Sequence, residues 1–342
     1  MGSSTDRTGE VDDPDERSSA TSDEEARLSV LAEPTRDRTG RDFISYMHTV
    51  LCQVGLPRRR VEGRRFERTH KGASLLVQAG ELWDGKQWIP QPLPYGPKPR
   101  VMLADLLTFA VVHRTRTIPL ENSVTQYLAR LGWTNQGGAR GPLTAFRNQA
   151  KALSACHLTL GVSYGSNAHT IEGKPFRRFS AWTEDRDGQR CLWPSELELT
   201  TDFYESLLNH AVPLDGEALR KLSGSALSLD VYCWLAYRLH QLKNNLFLPW
   251  KPLREQFGQE YRDPRDFKRE FLPAFKEALS VYPAAARSQQ VRGGIVLQPA
   301  APPIRRTTVL NRDIQRQMAA QKKAGGEPQA LADEASLTPD VA

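Results

Sequence analysis

Each of two predicted helices carries cationic or amide side chains on one face and apolar side chains on the other. The polar face of the helix predicted over residues 142–155, extended two residues toward the N-terminus, holds Arg140, Thr144, Arg147, Asn148 and Lys151. The polar face of the helix predicted over residues 264–279 holds Arg265, Lys268, Arg269 and Lys276. Arginine, lysine and asparagine in this arrangement can contact base edges and phosphates in a DNA groove. The alternative for both faces is an ordinary solvated helix surface.

Further cations lie in two predicted β-hairpins that follow these helices. They are Lys174, Arg177 and Arg178 in the first hairpin and Arg287 and Arg292 in the second. At these positions they could contact the DNA backbone or the minor groove. A separate arginine cluster over residues 58–65 could either bind phosphates or solvate a linker, and the sequence leaves both readings open.

The residue types needed for catalysis do not form a recognisable motif. The seven histidines include no H-x-H pair, Gly173 and Lys174 are followed by Pro175 rather than by a P-loop, and neither H-E-x-x-H nor G-x-S-x-G occurs. The four cysteines include no C-x-x-C pair, so we expect buried free thiols. We therefore predict a protein that is not an enzyme and that needs no metal and no cofactor.

The charge distribution favours a polyanionic partner. Residues 1–42 hold 6 basic and 12 acidic groups, whereas residues 43–310 hold 36 and 23, a surplus of 13 positive charges. The chain has no stretch of 18 or more apolar residues and no secretory leader, so we expect a cytoplasmic protein that binds nucleic acid rather than a membrane.

The elements that position the cationic helices follow one order twice. Predicted helices over 101–112, 123–131 and 142–155, a strand over 117–120, and a β-hairpin of strands 157–164 and 170–182 make up the first unit. Helices over 227–242, 251–257 and 264–279, a strand over 247–250, and a β-hairpin over 286–291 and 295–297 make up the second. This order is that of a winged helix, so we predict an α+β fold with two tandem winged-helix domains.

Three further expectations complete the domain organisation. Residues 43–54 show helical spacing of apolar side chains and predict an amphipathic helix. Pro273 lies inside the last predicted helix and should bend or split it. The segments we predict are a disordered acidic tail (1–42), a lead-in with a helix, a basic segment and short strands (43–98), the first domain (99–185), a connecting strand and helix (186–212), the second domain (213–306) and a disordered tail (307–342).

Several stretches resemble the plasmid-encoded RepA replication initiators. They are LPYGPKPRVMLADLLTFAV (93–111), SVTQYLARLGW (123–133), ALSLDVYCWLAYRL (226–239), FLPWKPLREQFG (247–258), the segment 267–283 ending in VYP, and GGIVLQPAAPPI (293–304). The resemblance covers about residues 65–305. Its most specific part is the segment 226–239.

This resemblance implies an initiator that binds repeated double-stranded sites in a plasmid origin, helps the host replication initiator and the replicative helicase to act there, and can repress its own gene. It also implies an equilibrium between monomer and homodimer, with one winged helix used for dimerisation. By position, Arg265, Lys268 and Arg269 would make the main base contacts. Two other hypotheses remain: a winged-helix transcriptional regulator with a promoter target, and an origin nickase or nuclease.

Overall fold

Helices and small antiparallel sheets alternate along the chain. The computed structural model describes residues 44–120, 123–131, 133, 141–164, 167–173, 178–182 and 193–304. The predicted tails 1–42 and 307–342 lie outside these residues. The α+β class predicted from the sequence is confirmed for the part of the chain that is described.

The α-helices follow one another between short strands. In chain order they are α1 (Thr49–Gln53), α2 (Pro97–His113), α3 (Val124–Arg130), α4 (Pro142–Ala155), α5 (Thr201–His210), α6 (Gly216–Lys221), α7 (Ala226–Arg238), α8 (Trp250–Phe257) and α9 (Pro264–Ser280). Short 3-10 turns follow α7 and α9, at Leu239–Gln241 and Pro283–Ala285.

The strands form five small antiparallel sheets. They are β1 (Ile44–His48), β2 (Arg65–His70), β3 (Ala73–Gln78), β4 (Glu81–Trp83), β5 (Trp88–Pro90), β6 (Thr117–Pro119), β7 (His157–Tyr164), β8 (Asn167–Gly173), β9 (Arg178–Trp182), β10 (Trp193–Glu198), β11 (Ala211–Asp215), β12 (Leu246–Pro249), β13 (Gln289–Val291) and β14 (Gly294–Leu297). The sheet orders are β1-β11, β2-β3-β7-β8, β4-β5, β6-β10-β9 and β12-β14-β13.

The two three-stranded sheets share one topology. In each, the strand that precedes a helix pair lies at one edge, and the last strand of the unit lies in the middle. Thus β6 pairs with β10, which pairs with β9, and β12 pairs with β14, which pairs with β13.

The helix predicted over residues 43–54 is wrong for its first half. Residues 44–48 form β1, which pairs with β11 from Ile44 opposite Asp215 to His48 opposite Ala211, and only α1 is helical. All five residues of β1 are buried. An apolar run buried on both faces cannot be assigned to helix or strand by periodicity alone, and here pairing with a distant strand decides it.

The first predicted hairpin is confirmed where β7 pairs with β8 and is wrong for the rest of its second strand. Strand β7 pairs with β8 on one side and with β3 on the other, and the second predicted strand, 170–182, divides into β8 and β9 of two different sheets. The sequence has Gly173 and Pro175 at the division, residue types that interrupt a strand. The partner of β9 is β10, which the prediction had placed in the connecting segment.

The remaining predicted elements agree with the structure to within a few residues. Helix α4 begins at Pro142, and Ser123 caps α3 by accepting a hydrogen bond from the Gln126 N–H at 3.2 Å. Cys52, Cys156 and Cys233 are buried free thiols, as predicted, while Cys191 lies outside the described residues.

One hydrophobic core joins both predicted units. It contains Leu107 of α2, Phe146 of α4, Leu235 of α7 and Phe271 of α9, with Val77 from the four-stranded sheet. The helices and sheets of the two units therefore pack on a continuous apolar interior.

A buried ionic cluster links the same elements. The carboxylate of Asp230, in α7, accepts hydrogen bonds from Arg100 Nε at 2.6 Å, from Arg100 Nη2 at 2.9 Å and from Arg58 Nε at 3.0 Å. All three side chains are 8% exposed or less. Arg68, buried nearby, donates to Glu260 between α8 and α9 at 2.5 Å. Arg58, the first residue of the arginine cluster 58–65, is therefore a structural residue.

A buried histidine makes the stability depend on pH. His48 Nδ1 accepts from the Val50 N–H at 3.2 Å, so Nε2 carries the proton and donates to Ser206 Oγ at 2.9 Å. Burial and the nearby His210 lower the pKa of His48 to about 3. The unfolded state therefore binds one more proton than the folded state between about pH 6.5 and pH 3.

Lowering the pH from 7 to 5 should accordingly reduce the free energy of unfolding, with His48 contributing at most about 1.4 kcal/mol per pH unit. Urea denaturation of the wild type and of His48→Gln at both pH values measures this contribution. The wild type should lose more stability than the variant, and exposed His240→Gln should behave as the wild type. Equal losses in His48→Gln and the wild type would contradict the assignment.

Candidate nucleic-acid interface

Helix α9 begins at a well-defined cap. The Asp263 carboxylate accepts a hydrogen bond from the Arg265 N–H at 2.7 Å, and Pro264 occupies the first helical position. The predicted inward stripe of Phe267, Phe271, Phe275 and Ala278 is buried, so the opposite face of α9 is turned to solvent.

Pro273 does not split α9. The helix runs without interruption from residue 264 to residue 280 with Pro273 inside it, so the predicted division is wrong. Pro273 itself is exposed, while Phe271, Ala274 and Phe275 around it are buried. Packing of this apolar face stabilises the helix on both sides of the proline, which offsets the hydrogen bond that proline cannot donate.

The four predicted cations of α9 are all exposed. They are Arg265, Lys268, Arg269 and Lys276. Arg269, 71% exposed, pairs with Asp266 at 2.8 Å, and Lys268 Nζ lies 5.1 Å from the centroid of the Trp250 ring. An exposed ion pair contributes about 1 kcal/mol or less, so a phosphate could displace Asp266 at little cost.

The turn between α8 and α9 holds the two helices in a fixed arrangement. Arg254 Nη2 donates to the carbonyl oxygen of Arg262 at 2.9 Å and to that of Tyr261 at 3.3 Å. Gly258 ends α8, and a β-carbon there would lie 2.8 Å from the Arg254 carbonyl oxygen, so the turn needs glycine. An open hollow between the two helices is lined by Trp250, Lys251, Arg254, Pro264, Arg265, Phe267 and Lys268.

Lys251, Arg254 and Trp250 were not among the predicted site residues. Their position on α8, one helix before the predicted DNA-contacting helix, could have indicated them, because the first helix of a helix-turn-helix crosses the DNA backbone while the second enters the groove. The hollow adds these groups to Arg265 and Lys268. The result is one cationic surface with an aromatic ring in it.

The hairpin after α9 adds two exposed cations. Arg292 lies in the turn between β13 and β14, and Arg287 lies just before β13. Both are exposed, as a surface that contacts a polyanion requires. The hairpin itself is confirmed as predicted, since β13 pairs with β14 from Gln289 opposite Val296 to Val291 opposite Gly294.

The predicted polar face of helix α4 is less exposed than that of α9. Asn148 is exposed, whereas Thr144, Arg147 and Lys151 are half-buried. Arg147 Nε is buried and has no hydrogen-bond partner among the described residues. Arg140, Lys174 and Arg177 lie outside the residues that the structure describes, and only the backbone of Arg178 is described, within β9. The first cationic face therefore stays a prediction.

The described residues also bear on metal binding and on membrane insertion. Within the described ranges, no three histidine, cysteine, aspartate or glutamate side chains converge as a metal site would need. In the same ranges, no helix combines the length and the apolar character that crossing a membrane requires.

Comparison with known proteins identifies a family over part of the chain. A family model described as plasmid encoded RepA protein matches residues 93–250, from the segment before α2 to the first residue of α8. Helix α9 and its hairpin lie beyond this match. No curated protein matches the chain.

Two solved structures of RctB domains 2 and 3 are similar in shape. One, a selenomethionine derivative, has 13% sequence identity and a TM-score of 0.47 and covers 73% of this chain and 98% of its own. The other, of residues 155–483, has 14% identity and a TM-score of 0.45 and covers 73% and 94%. The match of the family model confirms the resemblance inferred from the sequence: residues 93–250 of this chain are similar to the plasmid-encoded RepA proteins.

Proposed function

We propose that the chain is a plasmid replication initiator, without catalytic activity, that binds repeated double-stranded DNA sites at an origin. The family match supports the initiator role. The observation that carries the DNA-binding part is the division of α9 into a buried phenylalanine stripe and an exposed face with four cations. Because the apolar stripe fixes the helix on the domain, the cations are free to enter a groove.

The shared strand order supports two winged helices in tandem. The second would consist of α7, β12, α8, α9 and the β13–β14 hairpin, with α9 in the major groove and Arg292 at the wing. The first would consist of α2, β6, α3, α4 and the β9–β10 pair, with β7 and β8 inserted before its wing. Two linked modules raise the effective concentration of each for its site, so each can bind weakly alone.

The proposal extends to partners. An initiator of this kind would recruit the host replication initiator and the replicative helicase, exist as monomer and homodimer, and repress its own gene. These roles follow from the resemblance to the plasmid-encoded RepA family. The surplus of positive charge over residues 43–310 supports the DNA partner.

Replacing Arg265 and Arg269 by alanine tests the α9 face. We expect the double variant to bind tiled fragments of the parent plasmid origin on the order of 100-fold more weakly, because each base-contacting arginine contributes about 1–3 kcal/mol. Gel shifts at several salt concentrations measure both the affinity and the salt dependence. Both side chains are exposed, so the thermal unfolding temperature should change little.

Arg220→Ala with Lys221→Ala is the matched control. It also removes two exposed cations from one helix, and Arg220 pairs with Glu217 three residues away as Arg269 pairs with Asp266. The control should retain most of the affinity. If both double variants bind origin fragments as the wild type does, α9 is not the DNA-contacting helix.

Deletion of the gene from its replicon separates the initiator from a transcriptional regulator. Loss of plasmid replication that is restored by the gene in trans supports the initiator. Altered gene expression with normal replication supports the regulator. Metal-dependent nicking of supercoiled origin DNA would instead support the nickase.

A further inference from the structure

Two cationic side chains and a histidine surround a pocket that lies away from the α9 face. His70 ends β2, Lys71 follows it in the turn to β3, and Arg238 comes from the last turn of α7. Helix α8 and strand β12 close the other sides. The inner part of the pocket, about 30 Å³, continues into an open outer part of about 600 Å³ that His70 and Lys71 also line.

These charges lack a direct counter-charge. Within the described part of the chain, none of the three side chains forms an ion pair, and Arg238 Nε is buried without a hydrogen-bond acceptor. The carboxylate of Glu255, an exposed residue of α8, acts electrostatically on His70. Buried donors in folded proteins are almost always paired, so the Arg238 guanidinium still has an unused hydrogen-bond donor beside this pocket.

The electrostatics of the pocket agree with this geometry. Burial, together with the charges of Lys71 and Arg238, lowers the pKa of His70, and Glu255 opposes that shift. Burial and the charge of Arg238 likewise lower the pKa of Lys71. The three groups are therefore close enough to repel one another, and a bound anion would relieve the repulsion.

The backbone at the mouth of the pocket is strained. Lys71 has a φ of 51°, in the left-handed region that favours glycine or asparagine. Its neighbour must be glycine, because a β-carbon at Gly72 would lie 2.5 Å from the Ser163 carbonyl oxygen. The chain thus keeps a lysine in a costly conformation at a position that directs it to the pocket. The two-residue turn between His70 and Ala73 therefore fixes the backbone of Lys71 beside the pocket.

We propose that this pocket binds a phosphoryl group. The Arg238 guanidinium would donate to one oxygen, and the Lys71 ammonium and the protonated His70 imidazole would contact the others. The phosphoryl group could belong to the DNA backbone or to a free phosphorylated small molecule. Only the DNA source rests on the function proposed above.

Sulfate is a suitable probe because it keeps two negative charges across the working pH range. We expect calorimetric titration of the full chain with sodium sulfate, at constant ionic strength, to detect binding at pH 6. Lys71→Asn should weaken it at least roughly tenfold, since a charge-assisted hydrogen bond is lost. Asparagine tolerates the left-handed conformation, so the unfolding temperature should not fall.

Arg114→Asn is the matched control. Arg114 is also an exposed cation with a φ of 51°, but it ends α2 outside the pocket. Its variant should bind sulfate as the wild type does. Absence of sulfate binding by the wild type, or equal binding by Lys71→Asn and the wild type, would overturn the proposal. Arg238→Gln offers a second variant with the same expected loss.

The pH dependence adds a readout that a purely structural role would not give. Sulfate should bind more tightly as the pH falls and His70 becomes protonated. His70→Gln should flatten this dependence. A wild-type affinity that does not change between pH 8 and pH 5.5 would exclude His70 from the site.

The salt dependence of DNA binding distinguishes the two sources of the phosphoryl group. If the pocket binds the DNA backbone, Lys71→Asn should reduce the slope of log affinity against log salt by about one, uniformly across DNA sequences. If Lys71→Asn loses sulfate binding but keeps the salt slope of the wild type, the ligand is a free phosphorylated molecule. If the wild type binds sulfate but no origin fragment, the proposed DNA-binding function fails and the pocket stands.

Discussion

Asp230→Asn should lower the free energy of unfolding by about 3–5 kcal/mol. The variant keeps the shape of the side chain but removes the charge that Arg58 and Arg100 contact at 2.6 to 3.0 Å. Both guanidinium groups would remain buried without a counter-charge, because their other acceptors are neutral backbone carbonyls. The large cost comes from these stranded charges rather than from the pair's own attraction.

Urea denaturation at pH 7 measures this loss, with Asp266→Asn as the control. Asp266 also pairs with an arginine, but the pair is exposed, so its removal should cost about 1 kcal/mol or less. Similar losses in the two variants would show that the Asp230 cluster does not stabilise the fold as described.

The same carboxylate gives a second pH dependence. Burial alone would raise the pKa of Asp230, but the charges of Arg100 and Arg58 outweigh it, and the net shift is downward. A carboxyl group whose pKa is lowered by folding contributes stability above its unfolded-state pKa. That contribution is lost as the pH falls through the folded-state pKa.

Phe271→Ala should have an effect of similar size, about 3–5 kcal/mol. The Phe271 ring is fully buried, and its centroid lies 5.2 Å from that of Phe267, 5.6 Å from that of Phe257 and 6.0 Å from that of Phe275. Truncation would leave a cavity between α8 and α9, the two helices that frame the cationic hollow. Calorimetric or urea unfolding measures the loss.

Lys276→Ala, on the exposed face of the same helix, is the control and should change the stability by less than about 0.5 kcal/mol. Because alanine has a higher helix propensity than lysine, a small increase in the stability of Lys276→Ala would also agree with this expectation. A Phe271→Ala variant as stable as Lys276→Ala would mean that α9 is not anchored through its phenylalanine stripe. The orientation assigned to its cationic face would then lose its basis.

The sequence predicted the local elements far better than their pairing. Helices with clear starts, such as α4 with Pro142 and α3 with Ser123, begin where expected, and the whole order of the second unit is confirmed. The prediction for residues 44–48 was wrong because the strand that pairs with them, β11, lies more than 160 residues away. The alternation of apolar residues in a short buried run carries no information about such a partner.

The charged residues likewise divide into those that local spacing predicts and those whose role depends on a distant partner. The exposed cations of α9 follow from helical spacing, because a period of 3.6 residues separates them from Phe267 and Phe271. The role of Arg58 and Arg100 does not follow from any local pattern, since their carboxylate partner is distant in sequence. Asp230, an isolated acidic residue in an otherwise apolar helix, was the one available indication of a buried ion pair.

The buried ionic cluster sets a condition on how the chain reaches its native state during synthesis. Arg58 and Arg100 emerge from the ribosome long before Asp230 and Glu260, so the earlier residues cannot be neutralised in place until the later ones follow. The high contact order of this cluster favours slow, cooperative folding of the nascent chain. Until translation has passed α8, we expect the N-terminal half to remain a substrate for chaperones.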